Sequence, residues 1–381
     1  MDFELTSEQL AMQKAAREIA EKEIAPVAAR YDEEEEMPVD LVRRLASQGY
    51  SSINVPEEYG GGGMDELTLC LVTEELGRGC AGIATALGAN SLASYPILLS
   101  GSEEQKKKYL GAVSQGKLAA FCLTEREAGS DVSAISTRAE KNGDKYILNG
   151  AKCFITNGGQ ADIYVVFAVT DPGRGVRTLT PFVVEKDFPG VSPGKKEKKM
   201  GIRASDTSEV IFENVEVPEE NRLSKEGSGF RTAMQTFDKS RPMIGALSVG
   251  LARAAYEAAA AHAKQRVQFG KPIIQQQAVS FMLADMATRI EAARTLVWRA
   301  ACMAGKNEKN ISAYSSMAKS FAGDTAMEVT TDVVQVMGGY GYIRDNPAEK
   351  YMRDAKIMQI YEGTNQVQRL VIADRISKDQ L

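Results

Sequence analysis

Apolar positions along the chain change their period twice. Up to about residue 120 they recur at the three- and four-residue steps of amphipathic helices, through stretches such as Leu67, Leu71 and Leu76. Thr6 followed by Gln9 predicts a capping box, and the Ala-, Glu- and Lys-rich run behind it predicts helix to about Arg30. Gly60–Gly63 interrupts this with a flexible loop. From about Phe121 to Val217 the pattern becomes β-branched and alternating. Asn142-Gly143, between Ser136–Lys141 and Lys145–Leu148, predicts a hairpin turn, because both residues tolerate positive φ. Asp162–Thr170, Thr178–Glu185 and Ser208–Phe212 read as further strands, paired antiparallel through tight turns. After Pro218 the helical period returns in two apolar stripes, Ile244, Leu247, Leu251, Ala255 and Ala258, then Leu283, Met286, Ile290, Ala293 and Val297.

The expected fold is therefore α+β: an N-terminal helical domain over residues 1–120, a middle antiparallel β-sandwich or barrel over 121–228, and a C-terminal helical bundle over 229–381. That order speaks against a nicotinamide-binding domain, which needs alternating strands and helices with GxGxxG just after the first strand. Gly60–Gly63 has neither the spacing nor the strand, and Gly338-Gly339-Tyr340-Gly341 follows a helix.

Composition narrows the chemistry. The 381 residues are 44% hydrophobic and 25% charged with a formal net charge of −5, ordinary for a globular protein and unsuited to general nucleic-acid binding. The Lys106–Lys108 and Lys195–Lys199 runs read as solvated surface. Cys70, Cys80, Cys122, Cys153 and Cys302 have no metal-binding spacing and fit reduced core thiols, so no metal is expected. The acidic N-terminus lacks a signal-peptide pattern and no apolar stretch reads as a membrane span. The expected location is the bacterial cytoplasm, with a mature mitochondrial-matrix form as the alternative. His262 is the only histidine and lies in an Ala-rich helical run, where it reads as structural, which speaks against a Ser-His-Asp triad or a polyhistidine metal site. A general base must then be a carboxylate, lysine, tyrosine or cysteine.

One carboxylate stands out. In Ile360-Tyr361-Glu362-Gly363-Thr364-Asn365, Glu362 sits between apolar or aromatic residues and a glycine that permits close backbone approach. Desolvation there would raise its pKa toward the range useful for proton transfer. Local sequence alone leaves the choice open between such a base and a capping or solvated glutamate.

The segment Arg353–Gln366 resembles the C-terminal signature of the acyl-CoA dehydrogenase family. The resemblance covers essentially the whole chain: Leu123-Thr124-Glu125 through Ala128-Gly129-Ser130-Asp131, Phe154-Ile155-Thr156-Asn157-Gly158, Asp238–Pro242, Arg266–Lys271 and Gln335–Gly339 resemble further family motifs in the family's order. It implies the family's three-part fold, with a C-terminal four-helix bundle, and FAD as cofactor. Leu123, Thr124, Phe154, Ile155 and Thr156 would border the flavin, while Arg266, Phe269, Gln277, Gln335 and Gly339 would reach the FAD of a neighbouring subunit. Thr364 and Gln366 would contact its ADP part. Ser130, Asp238 and Arg241 would hold the CoA portion, and Tyr361 and Gly363 would flank the acyl thioester. Glu362 would remove the α-proton while the β-hydrogen leaves as hydride to flavin N5, yielding a trans-2-enoyl-CoA.

Ser240 occupies the position where some relatives carry the base on an earlier helix, and Asn90-Ser91 offers no carboxylate of the kind used for cyclic substrates, so Glu362 is the candidate base. Arg126-Glu127 departs from the family's usual Pro-Gly, and Phe154 from a common tryptophan. Asp238–Pro242, Phe321–Asp324 and the Asn90-Ser91-Leu92 run before Gln105–Gly111 are similar to medium-chain members, with short-chain, branched or alicyclic acyl groups as alternatives. Electron-transfer flavoprotein as acceptor and a homotetrameric dimer of dimers are further implications of the resemblance. Two rivals are an acyl-CoA oxidase, against which the length speaks, and a non-catalytic assembly factor, against which Glu362 and Thr124 speak.

Overall fold

The computed structural model describes residues 4–171, 173, 178–306 and 308–381. The N-terminal part is helical: α1 (Ser7–Ile19), α2 (Ala25–Glu34), α3 (Val39–Leu45), α4 (Glu66–Gly79), α5 (Ala81–Ser100), α6 (Glu103–Gln105) and α7 (Gly111–Ser114). Thr6 opens α1 with the expected capping box, its hydroxyl accepting from Gln9 N–H while the Gln9 side chain accepts from Thr6 N–H. α5 is long and apolar enough to cross a membrane by length and composition, where none was expected, and 78% of its apolar window is buried. It packs against α4, α8 (Gly229–Gln265) and a strand, so its apolarity serves the core.

The strands are β1 (Ala119–Cys122), β2 (Arg138–Asn142), β3 (Lys145–Thr156), β4 (Ile163–Val169), β5 (Leu179–Glu185), β6 (Val191–Lys196) and β7 (Thr207–Pro218), forming one sheet. Most pairings are antiparallel as expected, but β1 pairs parallel with β4, Ala119 beside Ile163 through Cys122 beside Val166. The β2–β3 hairpin lies between them in sequence, and an excursion of that length can return in the same direction, which a tight turn cannot. Along β4, Ile163, Val165 and Phe167 pack into one core cluster while Tyr164, Val166 and Ala168 pack into another. Both faces of the strand are buried, hence its unbroken apolar run.

The β2–β3 turn sits one residue later than expected. Asn142 pairs with Lys145, leaving Gly143-Asp144 as the loop, and of these only Gly143 has positive φ (65°). A glycine first in a two-residue loop is the II′ arrangement. This register sets buried Ala139 opposite buried Leu148 and keeps Tyr146 inside; a one-residue slip of β3 would turn Tyr146 and Leu148 outward.

The C-terminal part comprises α8, the short hairpin β8 (Val267–Gln268) and β9 (Lys271–Pro272), α9 (Gln277–Gly305), α10 (Ile311–Met337), α11 (Gly339–Tyr342), α12 (Ala348–Met358) and α13 (Asn365–Ser377). The two predicted stripes are buried except for Ala258, which is half-buried. They share one core cluster with Leu45, Leu69, Leu76 and Ala84, so both helical parts bury a common interior. Buried Glu74 and Glu75 on α4 reinforce the contact: Arg253 of α8 reaches both at 2.8 Å, Arg17 of α1 reaches Glu75 at 2.7 Å, and Arg294 of α9 reaches Glu74 at 3.0 Å.

α4 and α8 touch backbone to backbone at Gly250, where a Cβ would lie 2.1 Å from the Glu74 carbonyl oxygen. Backbone cannot swing aside as a side chain can, so Gly250→Ala should destabilise the protein by about 3 kcal/mol. A lower thermal midpoint with an unchanged far-ultraviolet spectrum at low temperature is the expected result.

Candidate active site

Three elements converge on Glu362. α8 supplies Asp238, Ser240 and Arg241; α10 supplies Ser316 and Lys319; the turn between α12 and α13 carries Glu362 itself. Glu362 and Gly363 both adopt left-handed backbone, φ 56° and 88°. A Cβ on residue 363 would also lie 2.6 Å from the Gln368 amide nitrogen, so glycine is required there. Glu362 has no such freedom, and its conformation costs about 1 kcal/mol or more unless the surroundings enforce it.

They do so through carbonyls. Gln368 Nε2 donates to Glu362 O at 3.1 Å and to Gly363 O at 2.9 Å. Arg241 Nε donates to Glu362 O at 3.4 Å, and Lys319 Nζ donates to Gly363 O at 2.8 Å. Asn365 extends the network, accepting from Lys319 at 2.9 Å and donating to Asp324 at 2.8 Å, while Gln359 also donates to Asp324 at 2.7 Å.

The residue is partly exposed, yet its carboxyl tip is enclosed. Oε2 accepts from Ser240 Oγ at 2.8 Å, and Oε1 is buried with no partner among the described residues. Burial pushes the Glu362 carboxyl up from the ordinary carboxylate range, with Ser240, Arg241 and Lys319 pulling it back. A desolvated carboxylate with one oxygen tethered and the other free is suited to taking a proton from a ligand. Nor does Glu362 N–H donate to any group among the described residues. Opposite this turn, buried Tyr95 on α5 donates to buried Glu66 on α4 at 2.6 Å, with burial pushing the Glu66 carboxyl up.

A second region forms where β1 and β3 end. Cys153 N–H donates to Thr124 O at 3.0 Å, joining the Leu123–Ser130 loop to β3. An irregularity between Lys152 and Ile155 turns Phe154 out of the ladder, at φ 58° and 63% exposed. The Thr124 and Thr156 hydroxyls make no hydrogen bond to the described residues, and a Cβ on Gly129 would meet nothing within 4 Å. Ile155 is buried and Ser130 exposed. Behind the loop, fully buried Lys152 donates to Leu123 O at 3.0 Å and to Glu125 at 2.8 Å, and Glu125 also accepts from the Ser136 and Thr137 N–H groups. Burial works against ionised Glu125, but Lys152 holds its carboxyl down at about 2. Two unpartnered hydroxyls, an aromatic turned outward and an open glycine on one rim fit the flavin of an FAD.

The remaining predicted residues divide. Arg241 is buried, 3.8 Å from Asp238, and directed at the Glu362 turn instead of an open surface. Tyr361 donates through its hydroxyl to Met358 Sδ at 3.2 Å. Thr364 has a structural task, capping α13 by accepting from Val367 N–H at 3.2 Å, and Gln366 in the same first turn is exposed. Arg266, Phe269, Gln277, Gln335 and Gly339 are exposed in the single chain, Phe269 at 95% with φ 52°. Arg266 lies 5.4 Å over the Tyr340 ring, next to Gly339, and His262 is 5.9 Å from the same ring, so Arg266 and the Gly339–Tyr340 turn meet at the C-terminal end of α8. The lysine runs are largely ion-paired, Lys106 to Glu103, Lys108 to Glu185, Lys195 to Glu197 and Lys196 to Glu36. The cysteines are free, and no metal-ligand cluster occurs among the described residues.

Sequence reasoning missed Lys319, Gln368 and Lys152. Lys319 lies on a stripe of small residues, Ser315, Ser316, Ala322 and Gly323, at helical spacing. A lysine inside such a stripe is a signal of a buried cation.

Models of the acyl-CoA dehydrogenase N-terminal, middle and C-terminal domains match residues 6–117, 120–215 and 227–377. An acyl-CoA dehydrogenase of Bacillus subtilis is 48% identical over 97% of this chain and 98% of its own. Butyryl-CoA dehydrogenase of Megasphaera elsdenii superposes with a TM-score of 0.97 at 46% identity, covering 99% and 100% of the two chains. A structure described as the electron transferring flavoprotein of Acidaminococcus fermentans contains a chain matching at 49% identity and TM-score 0.97 over 99% of each. The chain belongs to the acyl-CoA dehydrogenases, which are FAD-dependent oxidoreductases.

Proposed function

We propose that this protein oxidises a linear acyl-CoA thioester to its trans-2-enoyl-CoA, with Glu362 as the base. The observation that carries the reading is the enclosed Glu362 carboxyl with Oε1 unpartnered, fixed on a left-handed turn by Arg241, Lys319 and Gln368. Glu362 takes the α-proton on Oε1 while Ser240 keeps Oε2 aimed. The Glu362 N–H is available to the thioester carbonyl, where negative charge develops as the proton leaves. Bound FAD supplies the acceptor for the β-hydrogen and its electron pair. Leu123, Thr124, Phe154, Ile155 and Thr156 would hold the flavin, and Ser130 the CoA portion. Arg266, Phe269, Gln277, Gln335 and Gly339 would serve the FAD of a neighbouring copy in a homotetramer, which accounts for an almost fully exposed Phe269. Electron-transfer flavoprotein is the proposed electron acceptor.

The medium-chain reading rests on the Asp238–Pro242 and Phe321–Asp324 motifs; the similarity to butyryl-CoA dehydrogenase favours a shorter acyl group. Anaerobic addition of octanoyl-CoA and, separately, butyryl-CoA to the flavoprotein separates them. Bleaching of the flavin by either supports acyl-CoA oxidation, and the faster of the two identifies the chain length. A flavin left oxidised by both overturns the linear-substrate reading.

A further inference from the structure

Lys319 is fully buried, yet no carboxylate lies within ion-pair distance of it among the described residues. Its ammonium points at the base's turn, donating to Gly363 O at 2.8 Å and to Asn365 Oδ1 at 2.9 Å. A buried cation bound only by neutral oxygens is costly unless it serves a nearby negative charge. The charged and titratable groups facing it and Glu362 are Arg241 from α8, Asp324 one turn along α10, Tyr95 from α5 and Tyr361 in the turn itself. Asp324 is occupied by Asn365, Gln359 and Arg369. Arg241 already has Asp238 nearby, which leaves Glu362 as the anion Lys319 serves.

We propose that Lys319 is a positioning residue for the base: it pins the left-handed Glu362–Gly363 turn through the Gly363 carbonyl, and its charge favours the ionised, proton-accepting form of Glu362. The proposal rests on the reading of Glu362 as the base for its catalytic meaning. Burial drives Lys319 itself down to about 7, with Glu362 pulling it back up, and burial drives Glu362 up, with Lys319 among the groups pulling it back, so each group's protonation depends on the other's. Loss of the lysine proton makes Glu362 harder to ionise, and loss of the Glu362 proton makes Lys319 harder to deprotonate.

The test reads Glu362 directly. The infrared carboxylic-acid band that is present in the holoenzyme and absent from Glu362→Gln is followed against pH in wild type, Lys319→Gln and Lys319→Met. Gln keeps a donor for Gly363 O without the charge; Met removes both. In Lys319→Gln the midpoint of the band should move up by about one pH unit, and the acid limb of kcat/KM should move with it, at unchanged FAD content. In Lys319→Met the midpoint should shift likewise and kcat should fall further. An unmoved midpoint in a folded variant overturns the proposal, whereas a purely structural lysine would lower stability and FAD content without moving it. Should neither variant fold, the wild type decides. A Glu362 titration stretched beyond a single-site curve supports the coupling, and a single-site curve overturns it. The band reports protonation whether or not Glu362 is the base, so failure here is distinct from full activity in Glu362→Gln.

Discussion

Glu362→Gln should bind FAD normally and leave the flavin oxidised when acyl-CoA is added, with the rate of anaerobic bleaching reduced by about a thousandfold. The amide is nearly isosteric, and its oxygen can still accept from Ser240, which bonds Oε2 at 2.8 Å. The turn is held through the residue 362 and 363 carbonyls, which the substitution leaves untouched. What disappears is a group able to take a proton at the Oε1 position. The expected signature is therefore a loss in the bleaching rate with acyl-CoA binding retained, as an interaction needed only in the transition state predicts. Bleaching at the wild-type rate would remove Glu362 from the mechanism.

Lys152→Met should have the largest effect on assembly. Lys152 and Glu125 form a pair shielded from solvent, 0% and 6% exposed in their side chains, directly behind the Leu123–Thr124 segment. Removing one partner strands the other, at a cost of about 3–5 kcal/mol. It also releases the Leu123 carbonyl, so the flavin-to-protein ratio should fall together with the thermal midpoint. Adding Glu125→Gln to Lys152→Met should recover part of the stability, because the buried charge is then gone. Recovery of stability without recovery of flavin content would assign the loop's alignment to the lysine. If Lys152→Met alone left both quantities unchanged, the pair would have no role in holding the loop.

Much of the fold is legible in the chain because its information is local. The capping box at Thr6 and Gln9, the stripes through Leu247 and Met286, and the β-branched apolar run of β4 each depend on neighbours within a turn or a strand. The β2–β3 turn shows where local reasoning stops. Asn142-Gly143 is the stronger turn signal taken alone, but the register follows from which of Ala139, Tyr146 and Leu148 must face the core. The parallel β1–β4 pairing is likewise a contact between segments about forty residues apart, and no local period encodes it.

The candidate site divides in the same way. The sequence by itself spoke against histidine and metal chemistry, since His262 is the only histidine and the cysteines lack spacing, and it singled out Glu362 between Tyr361 and Gly363. It left undecided whether that carboxylate is solvated or enclosed, because burial depends on which helices close over the turn. Only the tertiary structure set Ser240 on one carboxyl oxygen and left the other bare, and only there do Arg241, Lys319 and Gln368, spread over more than a hundred residues, meet on two adjacent carbonyls. Periodicity places a residue on a face of its own helix, whereas the pKa of a base is set by the faces brought against it from elsewhere in the chain.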